Sequence, residues 1–538
     1  MAMDLLAMPV LLSADSAAAV LVLLSVATVV ALKHLLSSWR RSPRRRLPPS
    51  PTPLPVIGHL HLLRPPVHRT FHELATRLGA PLMHIRLGST HCVVVGSADV
   101  ARELIHDHDA TISGRPVSVL SRLFSYGSAG FAFTPYSPHW RFLRRLCVSE
   151  VLGPRTVEQL RHVRRGSLVS LLRSVLASSA RGDNKVDLTR ELIRFSTTSI
   201  IRMVASDVGV TDEAQELVKG VAELLGAFNL EDYVPLCRGW DLQGLRRKAN
   251  GVHRRFDAVL EQMIRHKEEA RDRERGRGGA AQEDKKGWPA TCKQRNKDLL
   301  DILLDMAENE TAEVKLTREN MKAFIVDVVT AGSDSSAATV EWMLAELMNH
   351  PEALRKVRAE IDAVVGADRI VGEEDLPRLP YLQATFKETL RLHPGAPIAH
   401  RESTGEMVVR GFTVPPRTAV FFNLWAIGRD PSCWEEPLAF RPERFMPGGA
   451  SEGLPPRGQQ FQFIPFGSGR RACPGMGLAQ QSVPTVLAAL VQCFDWAAVD
   501  GETAAMGMDE SDGGLVCARK HPLVLRPTAR LNPFPAVV

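Results

Sequence analysis

Pro465-Phe466-Gly467-Ser468-Gly469-Arg470-Arg471-Ala472-Cys473-Pro474-Gly475 is the stretch that decides how the rest of the chain is read. One cysteine sits in a glycine-rich bend, arginines precede it, and an apolar, helix-like run begins at Met476. Gly467, Gly469 and Gly475 let the backbone turn sharply and pass close to a flat object. Such a bend leaves N–H groups free to point at the sulfur, and hydrogen bonds to a thiolate favour its charged form. Cys473 is therefore a candidate ligand for a single redox metal, with Phe466 over the turn and an arginine ready for an anionic rim. A buried structural cysteine is the plainer reading of the same bend.

Working outward, 44% hydrophobic and 24% charged residues describe a globular chain with a large core. The eight cysteines form no Cys-x-x-Cys pair, which argues for a reducing compartment and against a disulfide scaffold or zinc site. Much of the formal +7 charge comes from Lys33, Arg40, Arg41, Arg44, Arg45 and Arg46, so the basic balance is no case for nucleic-acid binding. Residues 16–32 are uncharged, and about 17 apolar residues is the lower limit for a membrane-spanning helix. Positive charge follows this run, which predicts an uncleaved, single-pass N-terminal anchor with the body on the cytoplasmic side. Three parts are expected: anchor and basic flank 1–46, a proline-stiffened hinge 47–60, and a catalytic body 61–538. Within the body, the charged stretch 267–297 reads as a solvated loop or disordered insert. The Ser- and Gly-rich segment 113–132, with Phe124 and Phe131, reads as a loop able to line a pocket.

Three further patterns carry chemistry. Trp140 and Arg144 lie four apart on one helical face, where a guanidinium and an indole N–H can grip a carboxylate. A helix over 317–349, capped by Thr317, shows an apolar stripe through Phe324 and Val328. The stripe is interrupted by Ala331-Gly332-Ser333-Asp334-Ser335-Ser336, poor helix formers that predict a local kink and close approach of a ligand. Asp334 beside Ser335 is a candidate proton relay; a packing notch is the other reading. Glu388 and Arg391 share a helical face at i, i+3, and would ordinarily be a surface pair of little worth.

In these motifs the chain resembles the cytochrome P-450 family. Phe466, Gly469, Arg471, Cys473 and Gly475 match its haem-ligand signature, Trp140 and Arg144 its Trp-x-x-x-Arg, and Glu388 and Arg391 its Glu-x-x-Arg, with Arg444 as third partner. Residues 331–336 resemble its acid–hydroxyl box, with Ser335 where Thr is usual. The resemblance implies a mainly α fold with a minor β region, preceded by one transmembrane helix, and haem b ligated by Cys473. It implies propionates held by Trp140, Arg144 and Arg471, with Phe466 and Gly467 at the cofactor and His400 or Arg401 at the other propionate. Asp334 and Ser335 would deliver protons, and Glu388, Arg391 and Arg444 would form a buried network. Pocket candidates are Phe124, Phe131, Phe228, Val328, Ala331, Pro397, Ile398 and Val516.

The implied partners are NADPH-cytochrome P-450 reductase, docking near Arg141, Arg145, Arg441 and Arg470, and the endoplasmic reticulum membrane. Residues 339–342, 425–430 and 457–459 look most like the plant flavonoid-oxidising group. That implies a flavanone such as naringenin, hydroxylated at C2 to a 2-hydroxyflavanone. Direct formation of a flavone, or oxidation of another hydrophobic substrate such as a fatty acid, are alternatives. A haem-thiolate isomerase or a haem sensor would not need Asp334 and Ser335.

Overall fold

Thr317 starts the longest fully described helix, Arg318–Asn349, through a capping box in which its hydroxyl and the Asn320 side chain satisfy each other's backbone N–H groups. The computed structural model describes residues 21–22, 25–26, 28–29, 46–179, 184–206, 212–281, 297–311, 313–456, 460–499 and 506–531. The helix is buried nearly all round, as a central element is. It packs most heavily on Leu188–Val204 and also meets Asp212–Gly226, Pro380–Leu392 and Met476–Cys493.

The predicted kink is absent: the helix runs on through residues 331–336. Ser333 donates to the Val329 carbonyl at 2.7 Å and Ser335 to Ala331 at 2.8 Å, so hydroxyls that could break the helix bond back into it. The two largest apolar clusters meet here. One takes Met321, Phe324, Val328 and Val329, the other starts at Ala337, and residues 330–336 lie between them.

The β structure is minor. Strands Leu82–Leu87 and Thr90–Val95 pair antiparallel, Thr90–Val95 pairs parallel with Ala419–Asn423, and that strand pairs antiparallel with Ile398–Glu402. A three-stranded and a two-stranded sheet complete it.

Several expectations change. The hinge is strapped onto the first strand: the His84 N–H donates to Pro49 at 2.8 Å and the His59 N–H to Arg86 at 2.7 Å. Segment 113–132 is not all loop, because Ser118 and Ser121 cap a helix at Val119–Phe124. The charged stretch does not begin in solvent. Helix Leu245–Ala281 runs into it, and Lys267 is buried, 2.6 Å from Asp298 and 3.0 Å from Asp301. A lysine joining two helices reads in sequence like one in water; only its partners distinguish them. Residues 282–296 lie outside the described residues, as does most of the expected anchor. Among the described residues no helix is long and apolar enough to cross a membrane.

Candidate active site

The cysteine-bearing loop is shaped by its glycines. Gly467 and Gly469 have φ of 68° and 67°, left-handed values that side chains resist. The turn Gly469–Arg471 follows, and the Cys473 N–H donates to the Phe466 carbonyl at 2.8 Å, closing the bend beneath the sulfur. Backbone N–H groups of Gly475 and Met476 reach the thiol, as expected. They do not make it acidic. Burial raises the thiol pKa and outweighs those bonds and the Arg144 charge. The side chain nevertheless has exposed surface. The two observations agree if that surface opens within the fold, among crowding protein atoms, and not onto bulk water.

Four guanidinium groups surround this loop: Arg115, Arg144, Arg401 and Arg471. Desolvation lowers all four pKa values, and repulsion from the other arginines adds to this in Arg115, Arg401 and Arg471, with Arg401 at about 10 and Arg471 at about 9. Arg144 donates to the Ala472 carbonyl at 2.6 Å, beside the cysteine. Arg471 donates to Ser113 at 2.9 Å, Phe131 at 3.3 Å and Thr134 at 2.6 Å, all carbonyls. The indole N–H of Trp140, expected to face an anion, is given to the Phe131 carbonyl at 3.0 Å. Its ring instead carries Arg471 at 4.3 Å. Of the pair His400 and Arg401, the arginine brings the charge, since burial lowers His400 to about 4.

Asp109 and Asp327 are the carboxylates acting on Arg401 and Arg115. Sequence reasoning missed Arg115, Asp109 and Asp327, none of which belongs to a motif it used. Asp327 lies on the long helix and accepts the Ala132 N–H at 2.9 Å. A Cβ at Gly130 would fall 2.2 Å from its Oδ2. The carboxylate therefore holds the loop whose Phe131 carbonyl supports Trp140 and Arg471.

The remaining expected site residues lie in the middle of the long helix. Ala331 is exposed there, between half-buried Thr330 and Gly332. Desolvation raises the Asp334 pKa, with Lys219 and Glu223 as nearby charges. A Cβ at Gly395 would come 3.7 Å from the Ser335 Cβ, and the Gly395 carbonyl accepts the Cys517 N–H at 3.1 Å. The helix, the turn after Pro380–Leu392 and the C-terminal segment thus converge at Ser335.

The pocket candidates divide. Ala331 is exposed, and Ile398 and Val516 keep part of their surface. Phe131 packs on Phe324, with ring centroids 4.9 Å apart. Phe124, Val328 and Pro397 are buried, and Phe124 at 2% exposure has no face left for a ligand. Phe228 is exposed and stacks on Tyr233 at 5.0 Å.

Glu388, Arg391 and Arg444 do come together, fully buried. Arg391 grips both Glu388 oxygens at 2.7 and 2.8 Å, and Arg444 reaches Oε1 at 3.2 Å. Arg391 also serves the carbonyls of Gly428, Pro437 and Ala439.

This donor set fits haem b. A thiol held above its ordinary pKa becomes a thiolate ligand when a metal cation favours its deprotonated form. Four guanidiniums, Arg401 buried and the other three half-buried, served largely by carbonyls, suit a group carrying two carboxylates. Exposed Ala331, among small and half-buried residues of a mostly buried helix, suits close approach of a flat ring.

Comparison with known proteins agrees. The description "Cytochrome P450" matches residues 48–525. "Cytochrome P450 93G1" of Oryza sativa subsp. japonica is 66% identical, covering 92% of each chain. "2-hydroxyisoflavanone synthase" of Glycyrrhiza uralensis is 37% identical, covering 95% of this chain and 98% of that one. A zebrafish cytochrome P450 solved with progesterone superposes with a TM-score of 0.70 at 24% identity, over 86% of this chain and 99% of that one, a likeness of fold.

Proposed function

The chain belongs to the cytochrome P-450 family of haem-thiolate monooxygenases that carry haem b, and from that premise we propose that it hydroxylates a flavanone such as naringenin at C2, giving a 2-hydroxyflavanone. When bound, haem supplies the one-electron and dioxygen chemistry that places one oxygen atom on the substrate. Cys473 would hold it through its thiolate, and Arg144, Arg401 and Arg471 would meet its propionates. Asp334, whose pKa desolvation raises, and the Ser335 hydroxyl would move protons inward. Ser335 must first turn from the Ala331 carbonyl it now serves.

The observation carrying the monooxygenase reading is the thiol and cation cluster around one loop. The flavanone reading rests on the likeness to a 2-hydroxyisoflavanone synthase and on the sequence stretches named above. NADPH-cytochrome P-450 reductase is the proposed electron donor.

We place the protein on the endoplasmic reticulum membrane, catalytic body in the cytosol. Leu236 and Trp240 are 77% and 74% exposed, and Leu54 and Val56 are also exposed. The turn at Gly88 and Ser89 bonds both regions, through Ile57 and Tyr233, so these apolar side chains can meet one lipid surface. The test is turnover of naringenin by microsomes containing this chain, reductase and NADPH. The 2-hydroxy product supports the proposal, a flavone moves the reaction to desaturation, and unchanged naringenin with oxidation of fatty acid removes the flavonoid reading.

A further inference from the structure

Asp109 sits just past helix Ala98–His108 and has no part in the sequence motifs. Its Oδ2 accepts the backbone N–H of Arg470 at 3.0 Å and the Arg470 guanidinium at 3.0 Å. Its Oδ1 accepts from Arg401 at 3.2 Å, and Arg401 in turn donates to the Ser468 carbonyl. The carboxylate and Arg401 therefore close a ring on the backbone of Ser468 and Arg470. Gly469, between them, has φ of 67°, and a Cβ there would fall 2.4 Å from Asp109 Oδ1. No side chain fits where the carboxylate lies. Four residues past Gly469 comes the thiol. Asp109 is well shielded, with 13% of its side chain exposed.

We propose that Asp109 is a positioning residue for the Cys473 thiolate: it grips the Ser468–Arg470 backbone together with Arg401, fixing the sulfur and placing a negative charge beside the cofactor seat. This rests on the haem-thiolate reading. It goes beyond the family signature because the grip comes from a segment more than 350 residues away in sequence. Loss of the carboxylate frees the turn and leaves Arg401 without its protein ion-pair partner, so both ligand geometry and local potential change. Partners that orient metal ligands commonly alter affinity by 10–100-fold when removed.

The test uses the full-length holoenzyme, reduced chemically so that no reductase enters. Asp109→Asn keeps the shape and one acceptor but removes the charge; Asp109→Ala removes both. The measurements are the spectrum of the reduced carbon monoxide complex, the rate of haem transfer to apomyoglobin, and the midpoint potential. Asp109→Asn should release haem about tenfold faster and shift the potential positive, because a negative charge has left the site. Asp109→Ala should also convert part of the thiolate spectrum to the blue-shifted form. Arg470→Ala keeps the backbone N–H and the Arg401 pair, so its haem release and spectrum should stay near wild type. A wild-type thiolate spectrum with unchanged release and potential in Asp109→Asn overturns the inference. An equal loss in Arg470→Ala overturns the backbone grip. If Asp109→Ala does not fold, Asp109→Asn decides. A wild-type protein without the thiolate spectrum would instead remove the haem-thiolate reading beneath it.

Discussion

At the scale of single residues, Cys473 and Glu388 show how differently two motif positions work. Cys473 offers chemistry and little stability, since its bend is closed by glycines and backbone bonds. Cys473→Ser should therefore fold, lose the thiolate spectrum and lose turnover; an active serine variant would overturn the assignment. Glu388 offers stability and no chemistry. Glu388→Gln leaves two buried guanidiniums short of their partner, and breaking such a group costs about 3–5 kcal/mol. Loss of soluble, haem-loaded protein and a lowered urea midpoint are the expected signs. Ser335 is intermediate. Its hydroxyl lies within a helix that does not need it, so Ser335→Ala should keep haem and fold, while NADPH consumption rises relative to product.

At the scale of elements, the long helix and the segment 113–134 act as one unit through Asp327. Its burial raises the carboxyl pKa to about 7, against two backbone N–H bonds and the Arg115 charge that lower it. The sign follows from proton counts. Above its unfolded pKa the unfolded chain has released this proton while the folded chain still holds it, so stability falls as pH rises from about 4 to 7 and levels off above. Asp327→Asn lacks this titration. Its unfolding free energy relative to wild type should climb between pH 5 and 7 and then stay flat, measured by urea unfolding at each pH. A constant difference across that window would place the carboxyl pKa elsewhere. This element pairing was illegible in sequence. Asp327 reads as one polar residue on a mostly apolar helix, and Gly130 as one glycine in a loop; the bond from Ala132 that joins them spans 195 residues.

At the scale of the whole molecule, the order of motifs along the chain already announces a helical haem protein, while the sheets and hinge needed the fold. The strap at residues 47–60 is held by strand Leu82–Leu87, and the Arg46 carbonyl accepts the Thr413 N–H at 2.8 Å as a further tie at its start. Removal of residues 1–46 should leave the thiolate spectrum intact and shift much of the protein from the membrane pellet to the supernatant. Trp240→Asp in that truncated chain should shift it further, as measured by vesicle flotation. Equal flotation of the full-length and truncated chains would reject the anchor.

Local pattern determined much of this protein. The glycine spacing around Cys473, the i, i+3 pair Glu388 and Arg391, and the capped helix after Thr317 depend on neighbours within a turn or two, which a sequence displays directly. The tertiary structure alone decided the rest. It brought Arg115, Arg144, Arg401 and Arg471 to one loop, gave Trp140's N–H to Phe131 and buried Lys267 against Asp298. It also raised the Cys473 pKa where the local bend alone predicts a lowered one. Desolvation and charge pairing depend on which distant segments come together, and burial outweighs the few N–H bonds that local sequence can promise.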